Sequence, residues 1–173
     1  MSLQERSIHT EIIVPATVEA VWDAWTTEAG VRTFFAPQAR VEPYPGGAYE
    51  MYFNPEAPEG ARGGEGLQVL AMQHLQMFSF TWNAPPNLPE VRPHRTVVVM
   101  RFVETAEGRT QVSLHHSGWG TGEQWDQAFA YFQAAWHQVI LPRLKYRFVE
   151  GPVAWAAPPS METLAKMRAL RPS

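Results

Sequence analysis

The amino-acid sequence predicts one domain of the α+β class, with a first strand, two short helices, about six further strands and a long C-terminal helix. A run rich in β-branched residues near the N-terminus predicts the first strand. Short β-like runs between residues 37 and 117 predict the sheet, and an uninterrupted helical pattern from residue 124 to Pro142 predicts the long helix. A chain of 173 residues that is 45% hydrophobic can form one core without a second domain.

The N-terminal part of the chain combines the first strand with two capped helices. The run SIHTEIIV ends at Pro15, which has no N–H to donate to a neighbouring strand. Thr17 is the predicted cap of a helix over VEAVWDAWT, whose apolar residues recur at i, i+3, i+4 and i+7. Thr27 is the predicted cap of a second short helix, and we expect Phe34 and Phe35 to face the same core.

The middle of the chain predicts six consecutive strands, most simply arranged as one antiparallel meander. Their sequences are ARVEPY, AYEMYFN, EGLQVLAM, QMFSFTW, RTVVVMRFVE and TQVSLHHSGW. Gly46-Gly47 and Gly108 predict hairpin turns between them. Two longer Pro-rich segments, residues 54–64 and 83–94, are predicted to line or cover a site, because long loops on a rigid scaffold often do so.

The C-terminal helix is predicted to run from Gln124 to about Tyr146. Thr121 and Gln124 form a predicted capping box, and Pro142 predicts a kink near Gln138 because it removes one backbone hydrogen bond. At about 100° per residue, one face of this helix carries an aromatic stripe. The stripe consists of Trp125, Phe129, Phe132, Trp136 and Ile140.

The aromatic stripe is compatible with a packed core or with the wall of a cavity. Core is the commoner role of such a stripe. A long helix laid over a concave sheet can also leave an apolar space, which is the usual character of a small-molecule site. The period-two alternation of the strands gives the opposite wall of that predicted cavity: Met51, Phe53, Phe80, Trp82, Met100, Phe102 and His116.

Composition and motifs argue against several classes of function. A net charge of −3 without a basic stripe disfavours nucleic-acid binding. The chain has no cysteine, and its histidines and carboxylates show no metal-ligand spacing, so we expect no metal and no cofactor. The N-terminus lacks the apolar core of a secretory signal, and no run is long enough for membrane insertion. The predicted location is therefore the cytoplasm.

His116 is the best candidate for a general acid or base. It shares the inward strand face with Val112 and Leu114, whereas the adjacent His115 points to the opposite face. A hydrogen-bonded core histidine is the commoner role for a buried position. The sequence leaves both roles open.

The order of these elements and four segments resemble the START-like, helix-grip superfamily (SRPBCC), and within it the family named for the activator of heat-shock protein 90 ATPase (AHSA1-like). The segments are VPATVEAVWDAWT, PGGAYEMYF, FSFTW and VSLHHSGWGTGEQWDQAFAYFQAAWHQVILPRLK. The resemblance implies a domain over residues 1–148, in which a curved antiparallel sheet of about seven strands wraps around the long helix and an apolar cavity. The cavity walls that it implies are Trp125, Phe129, Phe132 and Trp136 on the helix, with Trp82, Phe102 and His116 opposite.

Residues 149–173 are predicted to form a Pro/Ala-rich tail whose short helix packs on the domain. Ser160 is the predicted cap of that helix, which covers METLAKMRAL. Leu164 and Met167 give it a weak apolar face.

Three functions are compatible with these observations. The leading hypothesis is non-catalytic binding of a small hydrophobic or aromatic molecule in the cavity. The sequence does not determine the oligomeric state, and a homodimer is compatible with it. The second is a cavity enzyme that uses His116, with Arg101 or Glu50 turned inward beside it. The third is a protein-interaction or chaperone-cofactor module, which requires a filled core and an exposed apolar patch. We expect no inherited chaperone activation, because the activator also uses a separate N-terminal domain.

Overall fold

The computed structural model describes residues 6–171. Its strands are β1 Ile8–Val14, β2 Gln38–Val41, β3 Tyr49–Tyr52, β4 Gly63–Gly64, β5 Val69–Gln73, β6 Met77–Trp82, β7 Thr96–Ala106 and β8 Arg109–Ser117. Its α-helices are α1 Val18–Thr26, α2 Glu28–Val31, α3 Glu123–Ala134, α4 Leu141–Val149 and α5 Met161–Ala169. A π-helical segment, Ala135–Ile140, joins α3 to α4 and is called the π segment below. The predicted α+β class and element order are confirmed.

The strands form two antiparallel sheets instead of the single meander that the sequence predicted. The larger sheet has the order β1-β8-β7-β6-β5, and the smaller has the order β2-β3-β4. A bridge between Ala48 and Gln68 connects them. Between β4 and β5, Gly66 has a φ of 72° and takes the backbone out of the extended conformation. The first strand closes the far edge of the larger sheet, where Ile8 lies opposite His116.

Threonine side chains begin the two N-terminal helices, as predicted. The Thr17 hydroxyl accepts a hydrogen bond from the Ala20 N–H (3.2 Å), and the Thr27 hydroxyl accepts one from the Gly30 N–H (3.0 Å). These bonds satisfy N–H groups that have no partner within a helix. They fix α1 so that the Trp22 ring meets the edge of the sheet core.

Glycines make the two predicted hairpin turns. Gly108 has φ of 72° in the tight turn between β7 and β8, and Gly46 has φ of 88° between β2 and β3. Both values lie in the left-handed region, which glycine adopts without steric cost. The predicted turns are confirmed, and the Gly108 turn sets the register of the long hairpin formed by β7 and β8.

The C-terminal helix is continuous from Glu123 to Val149, but its start and its middle differ from the prediction. The residue before the helix is Gly122, with φ of 124°, and no side chain in the described part of the chain caps the first turn. The predicted Thr121 capping box is therefore wrong. The π segment lies around Gln138, the position of the predicted kink, and Pro142, which has no N–H to donate, follows it at the start of α4.

The C-terminal tail packs along α4 and the edge of β1. Leu164 and Met167 of α5 are buried, and the Ser160 hydroxyl accepts the Thr163 N–H at 3.1 Å. Arg168 donates hydrogen bonds to the Thr10 hydroxyl (3.1 Å) and to the Glu11 carbonyl (2.9 Å) in β1. Among residues 6–171, no helix is long and apolar enough to cross a membrane.

Candidate functional site

A cleft of about 400 Å³ lies between the C-terminal helix and the two Pro-rich loops, beside the end of β6. This volume falls within the range of small-molecule pockets. Apolar residues form most of its wall: Phe35, Phe53, Ala61, Trp82, Ala84, Pro85, Pro86, Phe132, Ala135, Trp136, Val139 and Ile140. Gly63 and several polar and charged residues complete it: Asn54, Arg62, Asn83, Arg92, Tyr131 and Arg143.

The π segment determines which residues of the C-terminal helix face the cleft. In an α-helix, residues four apart are offset by about 40°, because each residue turns by about 100°. A π turn contains roughly one more residue than an α turn, because each N–H bonds to the carbonyl five residues earlier. Residues four apart in a π turn are therefore offset in the opposite direction, which compensates for the offset in the α-helix. The Leu141 N–H makes such a bond to the Trp136 carbonyl. Residues four apart therefore stay on one face and line the cleft: Tyr131, Ala135, Val139 and Arg143, with Phe132, Trp136 and Ile140 beside them.

Arg92 holds the two Pro-rich loops together at the cleft. Its guanidinium donates hydrogen bonds to the carbonyl oxygens of Gly60 (2.8 Å) and Gly63 (2.8 Å) in the first loop and of Ala84 (2.5 Å) in the second. The Asn83 side-chain amide adds a bond to the Gly63 carbonyl at 3.1 Å. Hydrogen bonds from a charged donor are stronger than neutral ones. Both loops therefore contribute fixed walls to the cleft, in line with the lining role that the sequence predicted.

Glu65 stabilises the same arrangement from the first loop. Burial opposes ionisation of its carboxyl, but hydrogen bonds from the backbone N–H groups of Gly60 (2.6 Å) and Arg62 (2.5 Å) favour the charged form. Arg92, whose nitrogen lies 3.8 Å from the carboxylate, favours it too. The pKa of Glu65 is lowered as a result, and the carboxylate offsets part of the Arg92 charge.

His116 lies in the core behind Trp136 and outside the wall of the cleft. Its Nδ1 accepts a hydrogen bond from the Trp136 indole N–H at 3.0 Å. The neutral ring therefore carries its proton on Nε2 and donates it to the Thr96 hydroxyl at 2.6 Å. That hydroxyl reaches the Trp82 carbonyl at 3.4 Å. This chain of hydrogen bonds, called the histidine relay below, links the two tryptophans of the cleft wall.

The protonation state of His116 follows from its burial. The residue has no exposed surface, and burial lowers its pKa to about 3. It is therefore neutral at pH 7, with both ring nitrogens occupied by protein partners. This geometry suits a residue that orients Trp136, not a general acid or base acting in the cleft.

Four of the eleven sequence-predicted site residues come together in the cleft: Phe53, Trp82, Phe132 and Trp136. Four others fill the centre of the core with at most 4% of their surface exposed: Met51, Phe80, Met100 and Phe102. These side chains occupy the space where the sequence predicted a cavity between helix and sheet. The open space lies instead at the end of the sheet, where the loops and not the strands face the helix. Ligand binding by any of these residues stays a prediction.

Trp125 and Phe129, at the start of α3, lie outside the cleft wall. Trp125 packs against Leu88 and Val91 of the second loop. The Phe129 ring lies 4.9 Å from the Arg6 guanidinium, in a cation–π contact. The two aromatics therefore hold the second loop and the N-terminal segment against α3.

Sequence reasoning missed several residues of the cleft wall, among them Phe35, Tyr131 and Arg143. Phe35 was expected in the core, and Tyr131 lies off the stripe that a regular α-helix gives. Arg143 follows Trp136 by seven residues, a spacing that returns to the same helix face and could have identified it. The Arg143 Nε and the Trp82 indole N–H are buried and have no hydrogen-bond partner within residues 6–171.

Comparisons with known proteins agree with this architecture. A family model described as activator of Hsp90 ATPase homolog 1-like protein matches residues 15–148, whereas no curated protein matches the chain. The solution structure of the Aha1 dimer from Colwellia psychrerythraea is 22% identical, with a TM-score of 0.63 over 84% of this chain and 98% of that chain. An HSP90 activator from Plasmodium falciparum is 14% identical, with a TM-score of 0.60 over 84% and 96% of the two chains.

A conserved protein of unknown function from Enterococcus faecalis has the same fold. It is 15% identical, with a TM-score of 0.65 over 96% of this chain and 85% of that chain. At these identities the likeness shows the fold, and it confirms the helix-grip architecture predicted from the sequence.

Proposed function

The chain belongs to the activator of Hsp90 ATPase homolog 1-like family, and from this premise we propose that its cleft binds a small hydrophobic or aromatic molecule without catalysing a reaction. The observation that carries the proposal is the pre-formed cleft of about 400 Å³ with aromatic walls. Burial of apolar ligand surface, at roughly 25 cal/mol per Å², supplies the binding free energy. The chain has no cysteine and therefore no disulfide that would require an oxidising compartment, so we propose the cytoplasm as its location.

The fixed shape of the cleft supports this proposal. The histidine relay orients the Trp136 ring and bonds to the main-chain carbonyl of Trp82, and Arg92 joins the two loops that face them. Because these groups are held by hydrogen bonds before any ligand arrives, little conformational entropy is lost on binding. The ligand contacts that we propose are Phe53, Trp82, Phe132 and Trp136, together with Phe35 and Tyr131.

The arrangement of ionisable groups favours binding over catalysis. A cavity enzyme built on His116 needs a second ionisable group beside it. Arg101 is exposed on the outer face of β7. The Glu50 carboxylate accepts hydrogen bonds from the Tyr52 hydroxyl and from the Gly66 N–H, and His116 is bonded to Trp136 and Thr96. The Colwellia protein is described as a dimer. We propose a homodimer as the oligomeric state of this chain as well.

A matched pair of helix variants tests the proposed site. Ala135 lines the cleft, whereas its neighbour Ala134 is exposed on the other side of the helix. We expect the neutral dye N-phenyl-1-naphthylamine to bind the wild type. Ala135→Phe should weaken binding about fivefold or more, since overpacking a fitted apolar space costs about 1–3 kcal/mol.

The control variant Ala134→Phe adds the same ring to the same helix and should bind the dye like the wild type. Dye titrations followed by fluorescence, with thermal unfolding of each variant, give the comparison. A wild type that binds no dye, or equal weakening in both variants, would overturn the proposed site.

A further inference from the structure

The charge of the cleft differs from that of the whole chain. The chain has a net charge of −3. The cleft wall, which lies entirely in the described part of the chain, contains three arginines, Arg62, Arg92 and Arg143, and no acidic residue. Apolar walls of low dielectric strengthen the field of such cations. The cleft therefore favours a ligand with a negative charge.

Two of the three arginines already have protein partners. Arg92 donates to three backbone carbonyls and lies 3.8 Å from the Glu65 carboxylate. The Arg62 Nε donates to the Ala57 carbonyl at 3.0 Å. These contacts tie Arg92 and Arg62 to the loops. Within residues 6–171 the Arg143 guanidinium donates no hydrogen bond to the protein, so it is the cation with the most donors for a ligand.

Arg143 is partly buried without a compensating charge. Its Nε is buried and has no hydrogen-bond partner, and no carboxylate pairs with it among residues 6–171. Burial lowers the pKa of its guanidinium. A partly desolvated cation of this kind is destabilising until an anion compensates it.

The C-terminal tail holds Arg143 in position. The guanidinium carbon lies 5.2 Å from the centre of the Trp155 ring, within cation–π range. The Trp155 indole N–H donates to the Arg32 carbonyl at 2.7 Å, which fixes the ring to the end of α2. The charged group is thus placed before a ligand binds.

We infer that the ligand is an organic acid, whose carboxylate pairs with Arg143 while its apolar body lies against Trp82, Trp136 and Phe132. This inference rests on the proposed function and adds the chemical class of the ligand. The planar guanidinium matches a carboxylate with two parallel hydrogen bonds, and such charge-assisted pairs are the strong ones. The aromatic wall accepts the rest of the molecule by burial alone.

Two probes of the same shape separate this inference from the proposed function. We expect 2-naphthoate to bind the wild type about tenfold or more tightly than its uncharged methyl ester at pH 7, because hydrogen bonds to charged groups contribute on that scale. Binding is measured by isothermal titration calorimetry or by quenching of tryptophan fluorescence. Equal affinities for acid and ester would overturn the acid inference and leave apolar binding intact. If neither compound binds, both proposals fail.

Two arginine variants on the same helix then test which guanidinium binds the carboxylate of the ligand. Arg143→Gln should remove the preference for 2-naphthoate and leave the affinity for the methyl ester unchanged. Arg147→Gln is the matched control, because Arg147 lies on the same helix but stacks on Phe148 outside the cleft. A preference for the acid that persists in Arg143→Gln, or that is lost equally in Arg147→Gln, would overturn the assignment to Arg143.

Discussion

Replacing His116 with phenylalanine removes the central member of the histidine relay and changes how stability depends on pH. At pH 7 the variant loses the bonds to Thr96 (2.6 Å) and Trp136 (3.0 Å) and leaves the Trp136 indole N–H buried without a partner. A lost hydrogen bond and an unsatisfied buried donor together reduce the free energy of unfolding by about 2–3 kcal/mol. Phenylalanine has a similar shape, so the cavity contribution is small.

The pH dependence follows from the shifted pKa. Burial lowers the pKa of His116 from 6.5 to about 3 in the folded state. The unfolded chain therefore takes up a proton below pH 6.5 that the folded protein does not accept until about pH 3. The stability tied to this group is fully present above pH 6.5 and is lost as the pH falls toward 3. Between pH 7 and pH 4.5 the wild type loses about 2–3 kcal/mol through His116 alone.

Urea unfolding followed by tryptophan fluorescence at pH 7 and pH 4.5 tests this reasoning. His116→Phe lacks the titrating group, so its deficit of about 2–3 kcal/mol at pH 7 should almost vanish at pH 4.5. Other groups with shifted pKa values, such as Glu65, titrate equally in both proteins and cancel in the difference. A deficit of the same size at both pH values would refute a buried neutral histidine.

Two further predictions concern the bonds between the two Pro-rich loops and the packing of α5. Arg92→Gln should speed amide hydrogen exchange in residues 54–64 and 83–94 without changing exchange in the strands. The reason is that the substitution removes the hydrogen bonds that join the two loops. Unchanged protection of the loop amides would contradict this role of Arg92. Leu164→Ala, at a side chain only 1% exposed, should lower the free energy of unfolding by about 2–4 kcal/mol, whereas Leu170→Ala, at a half-exposed position, should change it by less than about 0.5 kcal/mol. Equal effects in the two leucine variants would argue against packing of α5 on the domain.

Local chemistry explains why most elements could be predicted from the sequence. Pro15 ends a strand because it has no N–H, Thr17 begins a helix because its hydroxyl accepts a backbone hydrogen bond, and Gly108 adopts a positive φ in a tight turn. Each of these signals depends on one residue and its immediate neighbours. The long helix was predictable for the same reason, apart from its first residue.

The position of the cleft depends on packing that no local pattern contains. Period-two alternation correctly put Met51, Phe80 and Met100 on the inner face, but whether that face is filled depends on the summed volumes of side chains from several elements. Here they fill it, and the space that remains lies under the loops. On the helix, the predicted stripe includes Phe132, Trp136 and Ile140 of the cleft wall. It lacks Val139 and Arg143, because the turn of about 100° per residue does not hold through the π segment.

The most direct test of ligand binding in the cleft is NMR of the tryptophan indole N–H groups during titration with N-phenyl-1-naphthylamine. Trp82 and Trp136 line the cleft, whereas Trp22 and Trp25 are buried in the core and lie outside the cleft wall. We predict large shifts of the Trp82 and Trp136 indole signals, with those of Trp22 and Trp25 unchanged. Shifts confined to Trp22 and Trp25, or no shift in any indole signal, would contradict binding in the cleft.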